Sequence, residues 1–98
     1  MMRIAIDYDF TFSEDPEGWS LAMLALKQRG HDVVGVTARH PNHVGDMLPS
    51  YFDLCSQVHF TAGEFKRKYM TNEGVIIHVW IDDAPEAIAE PYPIIGQK

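Results

Sequence analysis

Ninety-eight residues and 11.1 kDa suffice for one domain, and a chain this short buries only about 60–65% of its unfolded surface, so every long element must feed one core. Hydrophobic residues make up 46% and aromatic residues 11%, which supplies that core and excludes an intrinsically disordered chain. Eight Lys and Arg against fourteen Asp and Glu give a net charge of −6. That balance argues against passive electrostatic binding to nucleic acid or an anionic membrane, while leaving room for a small site where a metal ion reverses the local field.

Short apolar runs alternate with helical patterns, without repeats or linker-like stretches. The alternation predicts an α/β fold, a three-layer Rossmann-like sandwich with a mainly parallel sheet of about five strands, in a single domain over residues 1–98. The first strand is Arg3-Ile4-Ala5-Ile6, followed at Asp7 by a polar loop from Tyr8 to Asp15. Asp15 is a helix cap with Pro16 at the first helical position, where a missing N–H costs nothing. Trp19, Ala22, Met23 and Leu26 recur at helical spacing, and Gly30 stops the helix. Asp32 to Val36, rich in β-branched residues, forms the second strand and ends at Thr37. Pro41 opens a second helical pattern through Val44, Met47 and Leu48, which Pro49 breaks or restarts. A weaker strand covers Gln57 to Phe60, and a short helix spans Glu64 to Met70, with Gly74 beyond it. Val75 to Ile81 is the longest apolar run and predicts a strand buried on both faces. Pro85 suits a short helix, and Pro93-Ile94-Ile95 an edge strand.

Cys55 is the single cysteine, so no internal disulfide is possible and no Cys/His array has zinc-site spacing. A reducing, cytoplasmic setting is expected, without a leader or a membrane-spanning segment.

The acidic residues fall where the apolar strands stop: Asp7 and Asp9 after the first, Asp82 and Asp83 after the fourth. Ligands of an open α/β sheet gather outside the carboxyl ends of its strands, at the point where strand order reverses. If the first and fourth strands are neighbours, these carboxylates converge, and four acids held together repel one another unless a cation sits among them. Compact oxygen ligands with open positions suit Mg²⁺.

Asp7-Tyr8-Asp9-Phe10-Thr11 resembles the D-x-D-x-T signature of the haloacid dehalogenase-like (HAD) phosphohydrolases. Val36-Thr37 is similar to that family's second motif, Ile81-Asp82-Asp83 to the "DD" form of its fourth, and a lysine lies between them, Lys66 or Lys68. All landmarks stand in family order over residues 3 to 88. The resemblance implies a Mg²⁺-dependent phosphohydrolase in which Asp7 is the nucleophile and Asp9 the general acid and base. It further implies Mg²⁺ held by Asp7, the Asp9 carbonyl and Asp82, with Asp83 supporting them from behind or as an alternative ligand, and Thr37 and Lys66 on the phosphoryl oxygens. Phe10, Thr11, Ala38 and Arg39 are the expected substrate contacts; Arg39 could grip a second phosphate or a carboxylate with two hydrogen bonds. Lys66 is preferred to Lys68 because Thr61 to Phe65 resembles the loop-to-helix entry of the third motif.

The family's cap insertions have no counterpart here. Four residues separate Thr11 from Pro16, and twenty-eight separate Thr37 from Lys66, so the site is expected to be open. Phe10 takes a position that is often Gly in the family and offers an apolar wall or a stacking ring. The expected substrates are a nucleotide, a sugar phosphate or a polynucleotide end, with nucleic acid entering only as such an end and self-association open. The alternative is a catalytically weak or inactive HAD-like protein that sequesters a phosphorylated ligand or binds a protein partner. A receiver-like phosphoacceptor domain also clusters Asp, Thr and Lys, but the order of the motifs argues against it. His40 and His43 lack a third zinc ligand, His78 reads as a hydrogen-bonded core or interface histidine, and Cys55 as an inert thiol. Trp19, Trp80, Tyr51 and Phe52 read as packing residues.

Overall fold

The computed structural model describes residues 1–90, and the expected edge strand at 93–95 lies outside them. Four parallel strands, β1 (Arg3–Ile6), β2 (Asp32–Thr37), β3 (Val58–Phe60) and β4 (Val79–Ile81), lie in the order β3-β2-β1-β4. Three helices, α1 (Pro16–Gln28), α2 (Pro49–Leu54) and α3 (Lys66–Asn72), connect them. Among the described residues no helix is long and apolar enough to cross a membrane.

Alternation along β1 and β2 splits the core between the two faces of the sheet. Ile6 and Val33 join Met23 of α1 and Tyr51 of α2 in one apolar cluster. Ala5, Val34 and Val36 join Met70 of α3 in a second. In the first, the Tyr51 ring meets those of Tyr8 and Phe12 edge-on at 5.0 and 5.1 Å, and its hydroxyl donates to the Ile6 carbonyl at 2.6 Å. Gly35 makes this possible, since a β-carbon there would lie 2.6 Å from the Tyr51 hydroxyl oxygen. At the head of α1, the Asp15 carboxylate accepts the Gly18 N–H at 3.1 Å with Pro16 in the first turn, as the sequence predicts.

Three expectations need correction. The helix expected from Pro41 to Leu48 is a run of turns; Leu48, just before Pro49, sits at ψ 135°, so α2 begins only at Pro49. The turns are held from outside, by Arg39 donating to the His43 carbonyl and by the Leu48 N–H donating to the Tyr8 hydroxyl. The apolar run 75–81 contributes only Val79–Ile81 as strand, with Ile76 70% exposed. Its one neighbour among the described strands, β1, starts at Arg3, so among the described residues no strand lies beside 75–77. His78 is accordingly exposed rather than buried, and its Nδ1 accepts the Arg3 N–H at 2.8 Å. Finally, α3 starts at Lys66, two residues later than expected, because Ala62 and Gly63 take positive φ and Phe65 is extended in ψ.

Candidate active site

From β1 the chain travels outward through β2 and β3 and returns to β4 on the other side of β1. The crevice between the carboxyl ends of β1 and β4 is therefore the point where strand order reverses. The last paired residues, Ile6 and Ile81, stand side by side, and the ladder runs one step further as the Asp7 N–H donates to the Ile81 carbonyl at 3.0 Å. Asp7 and the Asp82-Asp83 pair consequently emerge together. One carboxylate oxygen from each of Asp7, Asp82 and Asp83 lies within 4.8 Å of the others.

Lys66, at the first position of α3, reaches into this cluster. Its ammonium donates to Asp7 Oδ1 at 2.8 Å and to Asp82 Oδ2 at 2.5 Å, and the side chain is 2% exposed. Lys68 lies on the exposed side of the same helix, so the site takes Lys66 of the two candidates. Thr11 closes the cluster. Its hydroxyl lies 3.4 Å from Asp7 Oδ2 and 3.2 Å from Asp83 Oδ1, and it accepts the Asp83 N–H. Thr11, expected as a substrate contact, is buried and ties two carboxylates together.

Burial pushes the Asp7 carboxyl up to about 6 against the pull of Lys66, and the Asp82 carboxylate adds to the rise. Three ionised carboxylates and one ammonium carry a formal −2, the charge that one divalent cation neutralises. The donor set fits Mg²⁺. Octahedral ligation at about 2.1 Å spaces ligand oxygens about 3 Å apart when adjacent and about 4.2 Å when opposite, so shifts of under an ångström gather these three.

Asp9 is turned elsewhere. Its carboxylate faces Arg39, which donates from Nε to Oδ2 at 2.9 Å and from Nη2 to Oδ1 at 2.7 Å. The remaining guanidinium N–H groups go to Asp46 and to the His43 carbonyl, so all five donors of Arg39 are engaged. The guanidinium also lies 5.4 Å from the centre of the Tyr8 ring. The two carboxylates raise the Arg39 pKa further, and Arg39 in turn holds the Asp46 carboxyl below its usual range. Arg39, expected to bind substrate, thus grips a neighbouring acid and has no free donor to offer. The Asp9 carboxylate lies outside the three-acid cluster, which leaves its carbonyl as the metal contact that the resemblance implies.

Thr37 ends β2 fully buried, its hydroxyl accepting the Arg39 N–H at 3.3 Å. Ala38 is exposed, and its carbonyl accepts the Gly63 N–H. Phe10 takes φ +60° and is 73% exposed; its N–H donates to the Ser13 hydroxyl oxygen at 3.0 Å. With Thr11, Glu14, Trp19, Ile81, Asp82 and Asp83 it lines a cavity of about 240 Å³ beside the acidic cluster. Cys55 is buried, and burial pushes its thiol up to about 12, in keeping with an inert cysteine.

Three residues of this region had no signal as site residues. Asp46 sits in a stretch whose spacing mimics a helix, Tyr8 is the variable residue of its motif, and Trp19 falls on the buried face of α1. Searches of family models, of curated proteins and of solved structures found no match to this chain.

Proposed function

We propose that this chain is a Mg²⁺-dependent phosphomonoesterase of the HAD type, a capless three-layer Rossmann-like domain of about five strands that acts in the cytoplasm. The observation that carries the proposal is the meeting of Asp7, Lys66 and Asp82, their side chains buried, with the exposed Asp83 at their rim, where β1 and β4 end. These residues come from three separate stretches of chain, and each matches a landmark of the D-x-D-x-T resemblance in the expected order.

In this reading Asp7, Asp82 and Asp83 hold Mg²⁺, which offsets the repulsion between a carboxylate nucleophile and a dianionic phosphate. An Asp7 oxygen attacks phosphorus and the ester P–O bond breaks. The alcohol departs with a proton from Asp9, leaving an aspartyl-phosphate. Asp9 then takes a proton from water, whose oxygen attacks phosphorus, releasing inorganic phosphate and restoring Asp7. Lys66 and Thr37 serve the phosphoryl oxygens, which requires the Lys66 ammonium to move off Asp82. Asp9 likewise has to exchange its contact with Arg39 for the substrate.

The grip of Arg39 on Asp9 is the one observation that favours the alternative, a binding protein in which that acid never turns toward a ligand. Turnover separates the two. The phosphatase reading predicts Mg²⁺-dependent phosphate release from a generic aryl phosphate, abolished in Asp7→Asn. A protein that gains thermal stability from phosphate esters but releases no phosphate from a broad panel belongs to the alternative.

A further inference from the structure

Phe10 breaks two rules at once. It holds a left-handed backbone conformation that glycine would adopt without strain, and it leaves a large aromatic ring 73% exposed. Neither feature serves the core. The residues on either side of it are engaged by their side chains, Asp9 with Arg39, and Thr11 with Asp7 and Asp83. The Ser13 hydroxyl oxygen takes the Phe10 N–H itself. Trp19, from the first turns of α1, and Ile81 line the same cavity, which therefore offers two aromatic rings and an aliphatic wall beside the carboxylate cluster.

Size and charge narrow the occupant. At about 240 Å³ the cavity falls below the roughly 300–1,000 Å³ of pockets for drug-sized ligands, and suits one flat ring. Its charged lining residues, Glu14, Asp82 and Asp83, are all acidic. With Asp82 and Asp83 on Mg²⁺, Glu14 keeps its charge, and the lining offers no positive group to phosphates beyond the one being hydrolysed or to a polynucleotide backbone. Resting on the phosphomonoesterase reading, we infer that this cavity receives the planar ring of the leaving group and selects nucleoside monophosphates over sugar phosphates, nucleoside di- or triphosphates and nucleic-acid ends.

The decisive measurement compares kcat/KM with Mg²⁺ for adenosine and thymidine 5′-monophosphates, ribose 5-phosphate and a 5′-phosphorylated oligonucleotide. Loss of one base-stacking contact typically amounts to about 10- to 100-fold. The monophosphates should lead ribose 5-phosphate by that factor, and Phe10→Gly should erase most of the lead. Because glycine relieves the backbone strain, the melting temperature of Phe10→Gly should hold or rise; Phe10→Ser provides a second variant if the first fails to fold. Equal kcat/KM for ribose 5-phosphate and the monophosphates, a lead for the oligonucleotide, or an unchanged ratio in both variants would overturn the inference while leaving the phosphatase reading intact. A readout independent of turnover is the Trp19 indole N–H resonance during titration with adenosine or thymidine, which lack phosphate. A saturable shift that Phe10→Gly abolishes supports the ring site even if no ester is hydrolysed, and no shift overturns it.

Discussion

Two charged knots lie at the same end of the sheet, and the contrast between them separates chemistry from positioning. In the first, Lys66 meets Asp7 and Asp82, with side-chain exposures of 2%, 8% and 2%, and Asp83 adds a third acid at the exposed rim. In the second, Arg39 meets Asp9 and Asp46, whose carboxylates are 41% and 76% exposed. Water screens the second knot, so its value is geometric: a planar fork fixes the direction of Asp9. Little water screens the first, where surplus negative charge is held at high potential and a divalent cation gains most. The same residue types yield a candidate metal centre in one place and a clamp in the other because burial differs.

The largest expected effect tests the dry knot. Lys66→Met removes the one ammonium among three acids and should cost about 3–5 kcal/mol in metal-free protein, the usual penalty for stranding buried charge. Chemical denaturation with chelator reads this loss, and millimolar Mg²⁺ should restore much of it. If Lys66→Met is as stable as the parent without metal, the cluster is wetter than described.

Next comes pH. The folded-state pKa of Asp7 lies above its unfolded value of 3.8, at about 6, so the unfolded chain releases this proton first as pH rises. Stability contributed by protonated Asp7 is therefore present below pH 4 and lost between about 4 and 6, up to about 3 kcal/mol in chelator. Asp7→Asn removes that loss, so its stability relative to the parent should rise over this window and level off above it. Lys66 keeps Asp82 as a partner in the variant, so the ammonium is not stranded. A difference between the two proteins that is flat with pH would contradict the burial assigned to Asp7.

Arg39→Lys gives the smallest change in stability, under about 1 kcal/mol, because the pair is partly solvated. Lysine cannot reproduce the two-pronged grip, so kcat should change more than KM. An effect on KM alone would mean that Arg39 contacts substrate after all.

The sequence made the sheet legible because its cues were local and agreed with one another. Asp15-Pro16 marks a helix start, and β-branched runs ending in Asp or Thr mark strand ends. The convergence of Asp7 with Asp82 followed from a single topological condition, that β1 and β4 be neighbours, and they are. What periodicity could not convey was partnership. Residues 75–77 are apolar enough for a strand, but pairing needs a neighbour that β1 is too short to provide. Val44, Met47 and Leu48 have helical spacing, yet Pro49 and the pull of Arg39 hold the segment in turns. The Arg39 clamp was hidden for a related reason, since Asp46 joins it through the path of a loop.

The most direct test is a crystal of the protein soaked with Mn²⁺ and BeF₃⁻, with the ion located by anomalous scattering. The account predicts one ion among Asp7, Asp82 and Asp83, beryllium on an Asp7 oxygen, and the Lys66 ammonium drawn from Asp82 toward the fluorides. An ion bound elsewhere, or Lys66 still bridging Asp7 and Asp82 with neither ion nor fluoride beside it, would contradict it.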